Sequence, residues 1–188
     1  KIPVLGIEPT ANTAEVAKRK GINSVIEFFG MKLAIELAAK NIKADLLLGN
    51  NVLAHVPDIV DFVAGMKVIL KDTGVITMEF PHLMQLIEHN QFDTIYHEHF
   101  SYLSFYTVKQ IFEAQNLEIF DVDELPTHGG SLRIYAKHQK DRSRHISGKV
   151  AQLLEKEKKK GLTSMDYYQN FQHKVLQVKM DLVDFLIQ

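Results

Sequence analysis

Titratable side chains gather at three places along this chain. Residues 92–101 read Phe92-Asp93-Thr94-Ile95-Tyr96-His97-Glu98-His99-Phe100-Ser101, so a phenol, a carboxylate and two imidazoles fall close together. His55 follows Asn50-Asn51-Val52-Leu53-Ala54, and His128 precedes Gly129-Gly130. An imidazole with an unperturbed pKa of about 6.5 accepts a proton near neutrality at little cost, and a phenol can donate to an oxygen that gains charge. Each cluster also has a plainer reading. In an extended segment His97 and His99 project to one face and could ligate a metal with Glu98, although such a site needs further ligands. His55 before Val56-Pro57 could be a turn residue, and Gly129-Gly130 could serve only a turn that needs positive φ. Glu8 follows the apolar run Val4-Leu5-Gly6-Ile7. There it could accept both ribose hydroxyls of an adenosine cofactor, or cap the next helix.

The elements that must position these residues alternate. Val4 to Ile7 predicts a strand, Asn12 to Lys20 a helix, Ser24 to Phe29 a strand, and Met31 to Lys40 a helix. Ala44 to Gly49 predicts a short buried strand and Pro57-Asp58 opens a helix to about Leu70. Lys71 to Gly74 predicts a turn, and Val75 to Phe80 another buried strand. Such alternation argues for a parallel sheet with helices on both faces, and ligands sit at the carboxyl ends of its strands. A short helix around Leu83 to Asn90, the His-rich stretch and a helix from Thr107 to Asn116 follow. Leu117 to Leu125 and Ser131 to Lys137 are β runs joined by Pro126-Thr127-His128-Gly129-Gly130. That link is too short for a parallel crossover, so the sheet ends in an antiparallel hairpin. From Ser147 the chain reads as helix, with a charge run Glu155 to Lys160, a break at Gly161 and a second helix to the end. In the latter Tyr168, Phe171, Val175, Val178, Leu182 and Phe185 recur three and four apart, an apolar seam.

Composition bounds the rest. A chain of 188 residues, 46% hydrophobic and 24% charged, suits one globular domain with a helical appendage, and no apolar run approaches the roughly 20 residues that span a bilayer. With 22 basic against 23 acidic residues, no global field favours nucleic acid or an anionic membrane. Cysteine is absent, which excludes disulfides and thiolate chemistry. Lys1 to Gly6 already read as strand, with neither initiator Met nor leader signature, so the start is read as a cut within a longer protein.

Four segments together resemble the sugar C-methyltransferase family: Val4 to Pro9, Asn50 to Asp58, Phe92 to Ser101, and Leu125 to Arg133. They occur in the family's order from about Val4 to Lys137, and the Tyr-x-Glu-His and His-Gly-Gly elements are specific to it. The resemblance implies an α/β fold, the Rossmann-like class I sheet of methyltransferases that use S-adenosylmethionine, with a terminal antiparallel hairpin. Residues 1–140 would be the methyltransferase core, incomplete at its start, and 141–188 a helical extension toward a further domain. The family methylates C3 of a nucleotide-linked 4-keto sugar, so S-adenosylmethionine and a nucleotide sugar are the implied cofactor and partner. Zinc belongs to an amino-terminal domain that this chain does not include, and no metal is expected here. The resemblance assigns His99 as the base and Tyr96 as the donor toward the enolate. It makes Glu98 an orienting neighbour and turns His55 into the same cavity. Glu8, Phe28 and Asn50 are the expected cofactor residues, and His128, Gly129 and Gly130 the substrate residues. Core packing is the simpler reading of Phe28 and Phe29 together. His97 receives no role.

Carbon methylation suits these residue types, because a base beside a ketone generates the carbanion equivalent while donors hold the enolate oxygen. Rival readings are a methyltransferase of the same fold acting on oxygen, a nicotinamide-dependent sugar oxidoreductase and a silent binding module. The antiparallel last strand and the lack of a Tyr-x-x-x-Lys pair count against the oxidoreductase. A cytoplasmic location is expected, and the oligomeric state is left open.

Overall fold

The computed structural model describes residues 2–187; Lys1, read above as part of the first strand, and Gln188 lie outside them. The apolar runs and helix-forming stretches alternate as read: β1 (Leu5–Ile7), α1 (Ala11–Arg19), β2 (Asn23–Val25), α2 (Met31–Ala39), β3 (Ala44–Asn50) and α3 (Ile59–Ile69). Then come β4 (Leu70–Pro81), α4 (Leu83–Glu88), α5 (Phe105–Ala114), β5 (Leu117–Leu125), β6 (Ser131–His138), α6 (Gly148–Lys160), α7 (Met165–Gln169) and α8 (Phe171–Ile187).

Several boundaries differ from expectation for local reasons. The second strand stops at Val25, well short of Phe29. The turn expected at Lys71 to Gly74 is part of β4: Leu70 is buried and pairs with Ala44, so the strand begins at once. The surplus residues are absorbed in a shift of register between Ala44 and Leu46. Helix α5 starts at Phe105 rather than Thr107, because Ser104 caps it with a side-chain oxygen that accepts from the Thr107 N–H at 3.1 Å. The last helix is broken at Asn170 into α7 and α8.

A four-stranded sheet runs β3-β4-β6-β5, with β3 and β4 parallel and β6 antiparallel to both its neighbours. The terminal hairpin is therefore antiparallel, as its short link required. β1 and β2 form a separate parallel pair. The two sheets share a small core in which Leu33, Ala34 and Leu37 of α2 meet Ile7, Val25, Leu47 and Ile69.

The main core lies on one face of the larger sheet. Ile76, Met78, Phe80, Leu132, Ile134 and Ala136 meet α3 through Phe62, Val63 and Met66, α5 through Phe105, Val108 and Phe112, and α6 through Val150 and Leu153. Burying each such large side chain stabilises the fold by about 1.5–3 kcal/mol. The opposite face carries exposed Leu46 and Leu48 and a polar row that includes Thr77, Glu79, Arg133 and Tyr135. Helices on both faces, expected from the alternation, thus cover one face of this sheet among the described residues.

The helix–helix seam between α2 and α3 depends on missing side chains. Gly30 gives α2 no side-chain cap, and Asp61 of α3 supplies it by accepting from the Met31 N–H at 3.1 Å. A Cβ on Gly65 would stand 2.8 Å from the Gly30 carbonyl, so the two backbones meet there directly.

Toward the carboxyl terminus the helices separate in kind. α6 belongs to the core, whereas α8 buries no side chain, and its seam residues Val178, Leu182 and Phe185 are exposed. No helix among the described residues is long and apolar enough to cross a membrane.

Candidate active site

The parallel strands deliver their carboxyl ends to one edge, and the register sets what stands there. Asn50 pairs with Glu79, and Pro81 pairs with Ser131, so the ends of β3 and β4 and the turn before β6 lie side by side. The segment from Gln91 to Ser104 crosses this edge without regular sheet or α-helix. It is tied down instead by its backbone: Phe100 and Ser101 both donate N–H to the Ala54 carbonyl, at 2.9 and 3.2 Å, just ahead of His55.

These ties bring His55, Tyr96 and His99 together. The His55 and His99 ring centroids are 4.7 Å apart, and those of Tyr96 and His99 4.4 Å apart. Tyr102 meets His99 edge-on, with ring centroids 5.8 Å apart. The hydrogen bonds fix both tautomers. A carbonyl oxygen only accepts, so His99 donates Nδ1–H to the Thr94 carbonyl at 2.9 Å and keeps a lone pair on Nε2. That lone pair accepts the Tyr96 hydroxyl at 3.2 Å. His55 likewise donates Nδ1–H to the Glu98 carbonyl at 3.0 Å, which leaves its Nε2 bare. Glu98 therefore acts on its neighbours through its main chain; its carboxylate is exposed and takes no hydrogen bond among the described residues. His97 is exposed and not in extended strand. A small pocket beside His99 is lined also by Ala54, His82, Leu86, Thr94 and Tyr102.

His128 does not join this cluster. It stands exposed at the tip of the turn with φ 51°, and its ring pairs with none of the three among the described residues. Gly129 and Gly130 take φ of 76° and 123°, so the pair is required by the backbone. Their carbonyls also tie the turn to the site edge: Gly129 accepts from Gln91 Nε2 at 2.8 Å, and Gly130 from the His82 N–H at 3.0 Å.

A residue without an assigned role anchors the turn from below. Glu79 in β4 is buried, and accepts from the Thr127 hydroxyl at 2.9 Å and from Arg133 Nη2 at 2.6 Å. Burial would push its carboxyl up, but those two hydrogen bonds and the Arg133 charge outweigh it and hold it below the ordinary value. The sequence signal was one Glu inside an otherwise buried strand. Arg133 was part of a quoted motif with nothing to say what it paired with.

The expected cofactor residues stand at strand ends but are less gathered. Glu8 follows β1, and one carboxylate oxygen accepts from the Thr10 N–H at 2.8 Å, ahead of α1. That bond holds the turn leading into α1, whose own N-cap Thr10 makes no side-chain cap bond, and the other Glu8 oxygen takes no hydrogen bond among the described residues. Phe28 is 82% exposed, whereas Phe29 packs edge-on against Phe62 at 5.3 Å. Core packing, expected for both, holds for Phe29 alone. Asn50 closes β3 and is exposed. A carboxylate oxygen, an open aromatic face and a free amide at strand ends fit the hydroxyl and ring groups of an adenosine.

Residues 126–188 match the C-methyltransferase C-terminal domain. The chain is also 33% identical over 168 residues to the C-methyltransferase NovU of Streptomyces niveus, a match that covers 89% of this chain. The chain is similar in sequence to C-methyltransferases. It spans 40% of the length of that relative. Solved structures agree on the fold. A methyltransferase from Anabaena variabilis that depends on S-adenosylmethionine superposes with a TM-score of 0.56 at 12% identity, covering 72% of this chain and 68% of the other. The magnesium protoporphyrin IX methyltransferase of Synechocystis, with bound S-adenosylhomocysteine, gives 0.53 at 11% identity, covering 72% and 64%. The fold is that of class I methyltransferases using S-adenosylmethionine.

Proposed function

We propose that this chain carries the core of a methyltransferase that uses S-adenosylmethionine to methylate a carbon next to the ketone of a nucleotide-activated deoxysugar. One observation carries the carbon chemistry: His99 is held as the Nδ1–H tautomer with a basic Nε2 facing a tyrosine hydroxyl. A hydroxyl acceptor would not need an enolate, whereas a carbon acceptor needs a base and an oxygen donor side by side.

The residues suggest how the step runs. His99 Nε2 removes the proton from the carbon beside the ketone, and its electron pair moves onto the carbonyl oxygen as an enolate. Once protonated, Nε2 no longer accepts from Tyr96, so the phenol is released to donate to that oxygen. Thr94, through its carbonyl, retains the imidazolium in place. S-adenosylmethionine, when bound, would supply an electrophilic methyl for the enolate carbon, with its thioether as the leaving group. Glu8, Phe28 and Asn50 would hold it. His55, with its bare Nε2 beside His99, is a further acceptor on the same wall. His128, Gly129 and Gly130 would border the sugar nucleotide, residues 1–140 would be the methyltransferase core, and 141–188 would be a helical extension whose first helix, α6, packs onto that core. The relative's 33% identity and the residue cluster support this reading.

The test is solvent deuterium exchange at the carbon next to the ketone in the full-length enzyme. Exchange that needs His99 supports carbon chemistry, and methylation of oxygen without such exchange removes it.

A further inference from the structure

Glu157 lies within the charge run of α6, where a solvated face would be expected, yet it is 0% exposed. Its carboxylate gathers three donors from two distant places. Phe105 and Tyr106 donate their backbone N–H groups at 2.6 and 2.8 Å, and His82 Nε2 stands 2.7 Å away. An ionised carboxylate only accepts, so His82 donates Nε2–H. Together with the Ser104 cap on Thr107, this satisfies the first N–H groups of α5.

A helix cap needs no histidine, and His82 is where this one departs from a cap. His82 follows β4 directly and is 1% exposed. Its N–H donates to the Gly130 carbonyl, it forms a bridge with Leu103, and its ring lines the pocket that His99 also lines. Its Nδ1 is buried without a partner among the described residues. One carboxylate therefore joins α6, the start of α5, the end of β4 and, through His82, the glycine turn. The segment bearing Tyr96 and His99 is closed at its far end by these same contacts, at Leu103 to Tyr106.

We propose that Glu157 and His82 are positioning residues, a buried clasp through which α6 sets where His99 stands relative to the end of β4. The proposal rests on the reading of His99 as the base. Neither residue touches the reacting atoms; the clasp fixes the segment from which the base projects.

The experiment compares His82→Leu, which removes the donor, with His82→Gln, which keeps an N–H at the Nε2 position, and with Glu157→Gln, all in the full-length enzyme. Deuterium exchange at the substrate carbon should fall about tenfold to a hundredfold in His82→Leu and Glu157→Gln, as expected when a catalytic group is misplaced by about 1 Å. His82→Gln should recover most of the rate, and the affinity for S-adenosylmethionine measured by calorimetry should not change in any of them. Backbone amide exchange over residues 95–104 should quicken in His82→Leu while that over β5 stays at wild-type rates. A folded His82→Leu enzyme with wild-type substrate exchange and wild-type amide protection overturns the clasp. So does an equal loss of cofactor affinity, which would mark general damage. If the wild-type enzyme itself exchanges no substrate proton, the functional reading fails instead, and the amide data alone decide whether the clasp holds the segment.

Discussion

Replacing Gly130 by Ala should cost more stability than its small size suggests. The residue has φ 123°, which L side chains rarely adopt, and its new Cβ would stand 2.6 Å from Gln85 Cγ and 2.8 Å from Gln85 Cβ. The second contact is with the stem of a helix residue, so a rotamer change does not relieve it. Backbone strain of about 1–3 kcal/mol and overpacking of about 1–3 kcal/mol share one remedy, a shift of the turn, and so add incompletely. A net loss of about 2–4 kcal/mol lowers the melting temperature of a domain this size by about 4–16 °C. Gly129→Ala should cost less, because its Cβ meets mainly the flexible end of Gln91. Gly148→Ala, with nothing within 4 Å and ordinary φ, should gain about 0.4–1 kcal/mol. Thermal unfolding followed by circular dichroism ranks the three. A Gly130→Ala protein that melts with the wild type or above Gly148→Ala would refute the turn conformation and the contact between Gly130 and His82.

Other outcomes follow from the buried polar groups. Glu79 is held below the ordinary carboxylate value of 4.5, so its contribution is present above that pH and is lost as pH falls through the lower folded value. Denaturant titrations at about pH 7 and about pH 3 should therefore show a smaller acid-induced loss for Glu79→Gln than for the wild type, with Glu79→Gln already less stable at neutrality. Burial, chiefly, pushes the Tyr167 hydroxyl up to about 12, and that hydroxyl has no partner among the described residues. Its contribution is complete below the ordinary value of 10 and lost as pH rises toward about 12, so Tyr167→Phe should flatten the alkaline limb of unfolding without loss at neutrality. Tyr96→Phe in the full-length enzyme should keep the base yet lower methyl transfer by about 10²-fold, the usual effect of losing one donor to a developing oxyanion; steady-state rates check it.

Much of the architecture was legible because it rests on local rules. The five-residue link from Pro126 to Gly130 is too short for a crossover, and that alone made β6 antiparallel. Tyr96, His99 and His55 were legible as residue types, and their meeting depends on main-chain ties to Ala54, Thr94 and Glu98 that no side-chain pattern announces. Glu8 was legible as a choice between two roles, and the 2.8 Å bond from Thr10 engages one of its two oxygens in the turn before α1. Glu157 was hidden for a different reason. Its neighbours Lys156, Lys158, Lys159 and Lys160 make the run read as solvated, and only the fold brings the start of α5 over that one carboxylate. The apolar seam of α8 was legible as a pattern, but periodicity does not say what a face packs against, and in this structure no residue of α8 is buried, with Val178, Leu182 and Phe185 exposed.

The central claim is that a histidine base makes a carbon nucleophile here. The most direct measurement follows deuterium uptake from solvent at the carbon next to the ketone of a nucleotide-linked 4-keto sugar, using the full-length enzyme without S-adenosylmethionine, wild type against His99→Ala. Steady uptake by the wild type and none by His99→Ala is the expected result, with the variant still folded and still binding S-adenosylmethionine. Uptake by His99→Ala at the wild-type rate would contradict it.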